Sequence, residues 1–136
     1  MTKFELLPHT ADLRMKIWGS SLEELFQNAL AGFAYIIGSS VERGQEVEPQ
    51  QVIVETDSPT NLLIDFLNEV LYLSNVNKAV YEKLEIEKLI ETQLQGVLKG
   101  YRVGGFAKDI KAVTYHGAKV KKKENGNLEV EIVFDI

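Results

Sequence analysis

The nine residues Leu128-Glu129-Val130-Glu131-Ile132-Val133-Phe134-Asp135-Ile136 constrain this chain more than any other stretch. Their even positions are apolar, and in a strand those side chains share one face. The run therefore reads as a strand with a core on one side and Asp135 pointing to the other. A domain containing such a strand must supply partner strands for its edges and a second layer for its apolar face. The segment also ends on Ile136, so a free α-carboxylate is expected beside the Asp135 carboxylate, concentrating negative charge at one tip.

At 136 residues the chain is expected to form one domain, 1–136, large enough for a core without staples. It has no cysteine, which excludes disulfides, thiolate nucleophiles and thiolate metal sites. Met1-Thr2-Lys3-Phe4-Glu5 carries no apolar run of the signal-peptide kind, and no apolar segment is long enough to cross a bilayer, so the expected location is the cytoplasm. A formal net charge of −5 argues against an autonomous nucleic-acid binder, which needs a basic field to neutralise phosphates. It leaves open a protein that acts on a nucleic-acid enzyme.

Phe4 to Leu7 reads as a short strand closed by Pro8. Asp12-Leu13-Arg14-Met15-Lys16-Ile17-Trp18 alternates, with Leu13, Met15 and Ile17 on one face and Asp12, Arg14, Lys16 and Trp18 on the other. Ser20 or Ser21, with Glu23 or Glu24 three residues on, offers a capping box for a helix over 20–37, with Gly38 as terminator. Gln51 to Glu55 reads as a strand, with Glu46 to Gln50 as an extension. Ser58 caps a second helix that has Pro59 in its first position, where the missing amide hydrogen is no loss. Leu62, Leu63, Phe66, Leu67, Val70 and Leu71 form its buried stripe, widened by Ile64 and Leu73. Ala79–Glu91 and Thr92–Val103 form a long hairpin with a bulge at Leu89-Ile90. Ala112–Lys123 and Leu128–Ile136 form another around Asn125-Gly126. The order ββαβαββββ, built from hairpins, predicts an α+β fold with two helices packed on a mostly antiparallel sheet.

Five groups of residues can carry chemistry. Asp12 and Asp135 converge with the Ile136 carboxylate if their strands are neighbours, and such hard oxygen donors suit calcium or magnesium rather than zinc. Two solvated surface acids are the plainer reading of the same spacing. His9, three residues before Asp12, offers a metal partner or an acid–base pair, against a role in filling the loop. His116 lies in a β-prone run, and no serine or second carboxylate has a local relation to either histidine that suggests a triad. Lys111, where a loop meets a strand, can reach a phosphate or balance an acidic cluster, although spacing does not separate it from Lys108. Lys119, Lys121, Lys122 and Lys123 make a basic hairpin arm. No aromatic residues interleave there for base stacking, so the lysines read better as edge protection. Asp65, Asn68, Glu69 and Tyr72 share the polar face of the second helix, which suits either a partner surface or an ordinary wetted face.

Five segments, in order, resemble the archease family from end to end. They are His9-Thr10-Ala11-Asp12 with the strand ending in Trp18-Gly19, Ser21-Leu22-Glu23-Glu24-Leu25-Phe26, Leu62-Leu63-Ile64-Asp65-Phe66-Leu67-Asn68-Glu69, Ile110-Lys111-Ala112-Val113-Thr114-Tyr115-His116, and Val133-Phe134-Asp135-Ile136. The resemblance implies an accessory protein rather than an enzyme. Its expected role is to activate the GTP-dependent, manganese-dependent RNA ligase of tRNA splicing, promoting guanylylation and multiple turnover and broadening nucleotide use, with tRNA touched only through the ligase. An alternative within the same resemblance is a chaperone-like modulator of a tRNA methyltransferase. From another class, the acids, His9 and Lys111 suit a small metal-dependent hydrolase, and a deep cleft rather than a convex tip would favour it. The resemblance puts the metal ligands on Asp12, Asp135 and Ile136, with calcium as the expected ion. It puts activation of the partner on Asp12, Lys111 and Asp135.

Overall fold

The computed structural model describes residues 3–7 and 12–136. His9, and with it the proposed His9–Asp12 relationship, lies outside the described residues. Strand β1 (Phe4–Leu7) leads to β2 (Leu13–Gly19), helix α1 (Leu22–Gly38), β3 (Gln50–Glu55), α2 (Pro59–Asn77), β4 (Ala79–Ile90), β5 (Gln93–Arg102), β6 (Ala112–Thr114), β7 (Lys121–Lys122) and β8 (Leu128–Asp135). The fold is α+β, with two helices packed on antiparallel strands. It differs from the expected single sheet in having two: β1-β2-β8-β6, with β7 also paired to β8, and β3-β5-β4. Each helix touches both sheets, so α1 and α2 lie over a shared core in which Phe26, Phe33, Phe66, Met15, Ile17 and Phe134 are wholly buried.

Both helices start where the local chemistry says they should. The Ser21 hydroxyl accepts from the Glu24 amide at 3.1 Å, while the Glu24 carboxylate reaches back to the Ser20 amide at 3.1 Å and the Ser20 hydroxyl at 3.0 Å. The capping box thus closes one residue beyond the cap itself. Those bonds, together with Lys3, hold the Glu24 carboxyl below its ordinary pKa, the Ser20 amide being the largest cause. Ser58 caps α2 in the same way, accepting from the Asn61 amide at 3.1 Å, and Pro59 follows it. At the far end of α1, Gly38 is the last helical residue rather than a left-handed terminator, and extended Ser39 forms the cap.

In β4 and β5 the register shifts fall between Tyr81 and Lys83 and between Ile86 and Lys88, not at Leu89-Ile90, which pair regularly with Leu94 and Gln93. Gly100 explains the first shift. A Cβ there would run into the Val80 carbonyl oxygen, with the Tyr81 Cα only 2.8 Å away, so the two backbones approach closely where a side chain has no room.

The expected strand Ala112–Lys123 is broken into β6 and β7. Residues between them leave β8 because α2 offers better partners: the Tyr115 hydroxyl donates to Asp65, and the Val120 amide donates to the Thr60 hydroxyl at 2.9 Å. Gly117, at φ +68°, supplies the left-handed turn within the detour. The strand count after α2 is therefore five rather than four. The Asn125-Gly126 turn closes as expected, with the Lys123 amide donating to the Asn127 carbonyl at 2.7 Å.

Candidate functional site

Strand β8 is central to its sheet, and its two neighbours determine what gathers at its end. Leu13 pairs with Phe134, both with core-facing side chains, and Asp12 and Asp135 follow immediately past that last pair, at the same end of the two strands. On the other side Ala112 of β6 pairs with Asp135, and the Lys111 amide donates to the Asp135 carbonyl at 2.8 Å. Asp12, Asp135 and Lys111 therefore sit at one end of three adjacent strands. Asp135, Ile136 and Lys111 are exposed and Asp12 is half-buried. Lys108, indistinguishable from Lys111 by spacing, instead borders a small recess with Ser74, Phe106 and Ile110.

Asp12 is not alone on its face. Arg14 Nε donates to Asp12 Oδ1 at 3.2 Å and Nη2 to Oδ2 at 3.4 Å, while Nη1 reaches Glu131 Oε1 on β8 at 3.3 Å. These bonds, Asp12 foremost and Glu131 after it, raise the guanidinium pKa above its ordinary value. Arg14 was legible as a same-face neighbour from the two-residue period of β2, but its grip on Asp12 follows from what lies opposite. Its cross-strand partner is apolar Val133, so the guanidinium turns along the face to the carboxylates on either side.

Among the described residues no three histidine, aspartate or glutamate side chains gather as a metal-holding group. Asp12 and Asp135 lie just past the last β2–β8 pair, and as hard oxygen donors their carboxylates are of the chemical type that suits calcium.

The polar residues of α2 divide by role. The Asn68 side chain acts as a surrogate strand: its Oδ1 accepts from the Val113 amide at 2.9 Å, and its Nδ2 donates to the Val113 carbonyl at 2.8 Å and the Ile64 carbonyl at 3.2 Å. It thereby satisfies the outer edge of β6 and fixes that strand against α2. Asp65 holds the Tyr115 hydroxyl, and this bond is the chief reason the phenol pKa is raised. His116 is exposed, its amide donating to the Thr114 hydroxyl at 3.3 Å.

Of the basic arm, Lys121 and Lys122 are exposed on the two-residue edge strand β7, and Lys123 pairs with Glu129 at 3.1 Å. At the opposite end of the same outward face from Asp12, a shallow cleft of about 320 Å³ is lined by Glu5, Lys16, Trp18, Lys123, Asn125, Asn127 and Glu129. Tertiary pairing thus brings Trp18 beside Lys123, an aromatic neighbour that the arm lacks in sequence, though the acids balance the lysines there. Among the described residues no helix is long and apolar enough to cross a membrane.

Comparison with known proteins agrees with this architecture. Residues 4–136 match the model of the Archease protein family (MTH1598/TM1083). Protein archease of Methanosarcina mazei is 33% identical over 98% of this chain and 96% of its own length, and that of Pyrococcus abyssi is 31% identical over the whole of both chains. The solution structure of Methanobacterium thermoautotrophicum protein 1598 superposes with a TM-score of 0.73 at 26% identity, covering both chains completely. The crystal structure of a Thermotoga maritima archease, described as a possible chaperone, shares the fold with a TM-score of 0.68 over 96% of this chain and 94% of that one, at 24% identity. With residues 4–136 matched by the family model and relatives above 30% identity aligned over nearly the whole of both chains, the chain belongs to the archease family.

Proposed function

We propose that this protein is an accessory factor that activates the GTP-dependent RNA ligase of tRNA splicing in the cytoplasm, promoting its guanylylation and repeated turnover. The observation that carries the reading is the adjacency of Asp12, Asp135 and Lys111 at one end of β2, β8 and β6. In this reading Asp12, Asp135 and Ile136 hold a divalent ion, calcium, and Lys111 presents an ammonium to the partner. The bound ion supplies a concentrated positive charge at the tip. Asp12 and Asp135 orient it, and the exposed Lys111 side chain is free to meet a phosphate or carboxylate on the ligase. Two side chains and one further chain group leave most of calcium's six to eight positions to water, so binding is expected to be weak, with Kd on the order of 10⁻⁴ M or poorer.

Reconstitution with the cognate ligase tests this reading. The wild-type protein is expected to raise guanylylation and turnover, and Asp12→Ala, Asp135→Ala and Lys111→Ala each to abolish the effect. Asp135 and Lys111 are exposed, so their variants are expected to stay within about 0.5 kcal/mol of wild type, whereas Asp12→Ala also gives up the Arg14 ion pair, a cost of up to about 1 kcal/mol. Failure of the wild-type protein to stimulate the ligase overturns the proposal. Ligation or GTP hydrolysis by the protein alone, lost with Asp12→Ala, replaces it with an enzyme.

A further inference from the structure

We propose that Arg14 is the resident counter-cation of the acidic tip, gripping Asp12 in the free protein and competing with a divalent ion for it. The inference rests on the metal reading of Asp12, Asp135 and Ile136. Its own basis is the geometry of one guanidinium. Two of its nitrogens engage the two oxygens of Asp12, and the third engages Glu131. A carboxylate accepting this fork has committed one acceptor site on each oxygen, and an ion arriving on the remaining lone pairs meets a fixed positive charge a few ångströms away.

The two carboxylates of the site are therefore unequal. Among the described residues Asp135 makes no side-chain ion pair, whereas Asp12 is held. Asp135 would be open to an ion in the free protein, while Asp12 would offer its full acceptor capacity only once released by Arg14. Glu131 makes that release inexpensive, because it lies on the same face beyond Val133 and keeps one end of the guanidinium when the other lets go. The pair is also partly open to solvent, with Arg14 39% and Asp12 30% exposed, so exchange is not blocked by burial. Arg14 is in this sense a positioning residue that sets how strongly the tip selects a doubly charged ion over its own guanidinium.

Calorimetric titration of calcium into five proteins tests the proposal. Arg14→Met is expected to bind about two- to fivefold more tightly than wild type, the range typical of releasing an exposed ion pair. Arg14→Lys, which keeps the charge but loses the fork, is expected to fall between them. Lys16→Met removes a charge from the same face without touching Asp12 and should change affinity less than Arg14→Met. The Arg14 Nε–H resonance of the wild-type protein should move as calcium is added. If Arg14→Met binds no more tightly than wild type while Asp135→Asn abolishes binding, the competing role is wrong and the metal site stands. If Lys16→Met matches Arg14→Met, the effect is a general field and the specific grip is wrong. Unchanged binding by Asp135→Asn, or no heat from wild type and Arg14→Met at millimolar calcium, overturns the metal reading itself and this inference with it.

Discussion

The main-chain N–H of Lys111 donates to the carbonyl oxygen of Asp135 at 2.8 Å, tying the loop that carries the lysine to the strand that carries the acid. This bond runs through backbone atoms, so the Lys111 side chain can be replaced without disturbing it. Lys111→Ala and Lys111→Arg are both expected to melt at the wild-type temperature, while Lys111→Ala loses ligase activation. Retained activation by Lys111→Arg indicates that the partner senses charge, and its loss indicates a contact specific to an ammonium. Paired thermal melts and guanylylation assays separate these outcomes.

Asn68→Ala removes both partners of the Val113 peptide group at a part-buried edge. The expected cost is about 1–3 kcal/mol, the penalty for stranding such a donor and acceptor. Asn68→Asp should be no better, because a carboxylate accepts from the Val113 amide but faces its carbonyl without a proton. Urea unfolding measures the loss, and amide exchange at Val113 should accelerate in both variants.

Gly100→Ala places a methyl group against the Val80 carbonyl, which is backbone and has little freedom to yield. Destabilisation of about 1–3 kcal/mol is expected from overpacking alone. The companion substitution Gly104→Ala, where a Cβ meets nothing within 4 Å, is the control expected to unfold like wild type.

Acid should destabilise the protein through its helix entrances. Glu24 is held below its ordinary pKa by Ser20 and Lys3, and Asp57 by Asn61 and Thr56. A carboxyl depressed in the folded state stabilises the fold above its unfolded pKa, and that contribution is lost as pH falls through the folded value. Wild type should therefore exceed Glu24→Gln and Asp57→Asn in melting temperature at neutral pH, with the gap closing as pH drops below the usual carboxylate range. A gap that stays constant with pH would show that these carboxylates are not linked to folding.

Two periods in the sequence were enough to determine most of the elements. The two-residue alternation of Leu13, Met15 and Ile17, and of Val130, Ile132 and Phe134, is a local property of a half-buried strand, and each residue named there is buried. The caps at Ser21 and Ser58 are equally local, since a hydroxyl satisfies an amide three residues away whatever lies beyond. The outward orientation of Asp12 and Asp135 follows from the same parity. The two late hairpins were also legible from their turns, but tertiary structure alone decided that β8 pairs with β2, because that register joins segments more than a hundred residues apart in sequence. It thereby brought Asp12 to the end of the sheet where Asp135 and Lys111 lie. It also divided the strands between two sheets, bent residues 115–120 away from β8 toward Asp65 and Thr60, and turned Asn68 into a strand edge. Each of these outcomes depends on hydrogen-bond partners brought in from distant elements, and hydrophobic periodicity carries no information about such partners.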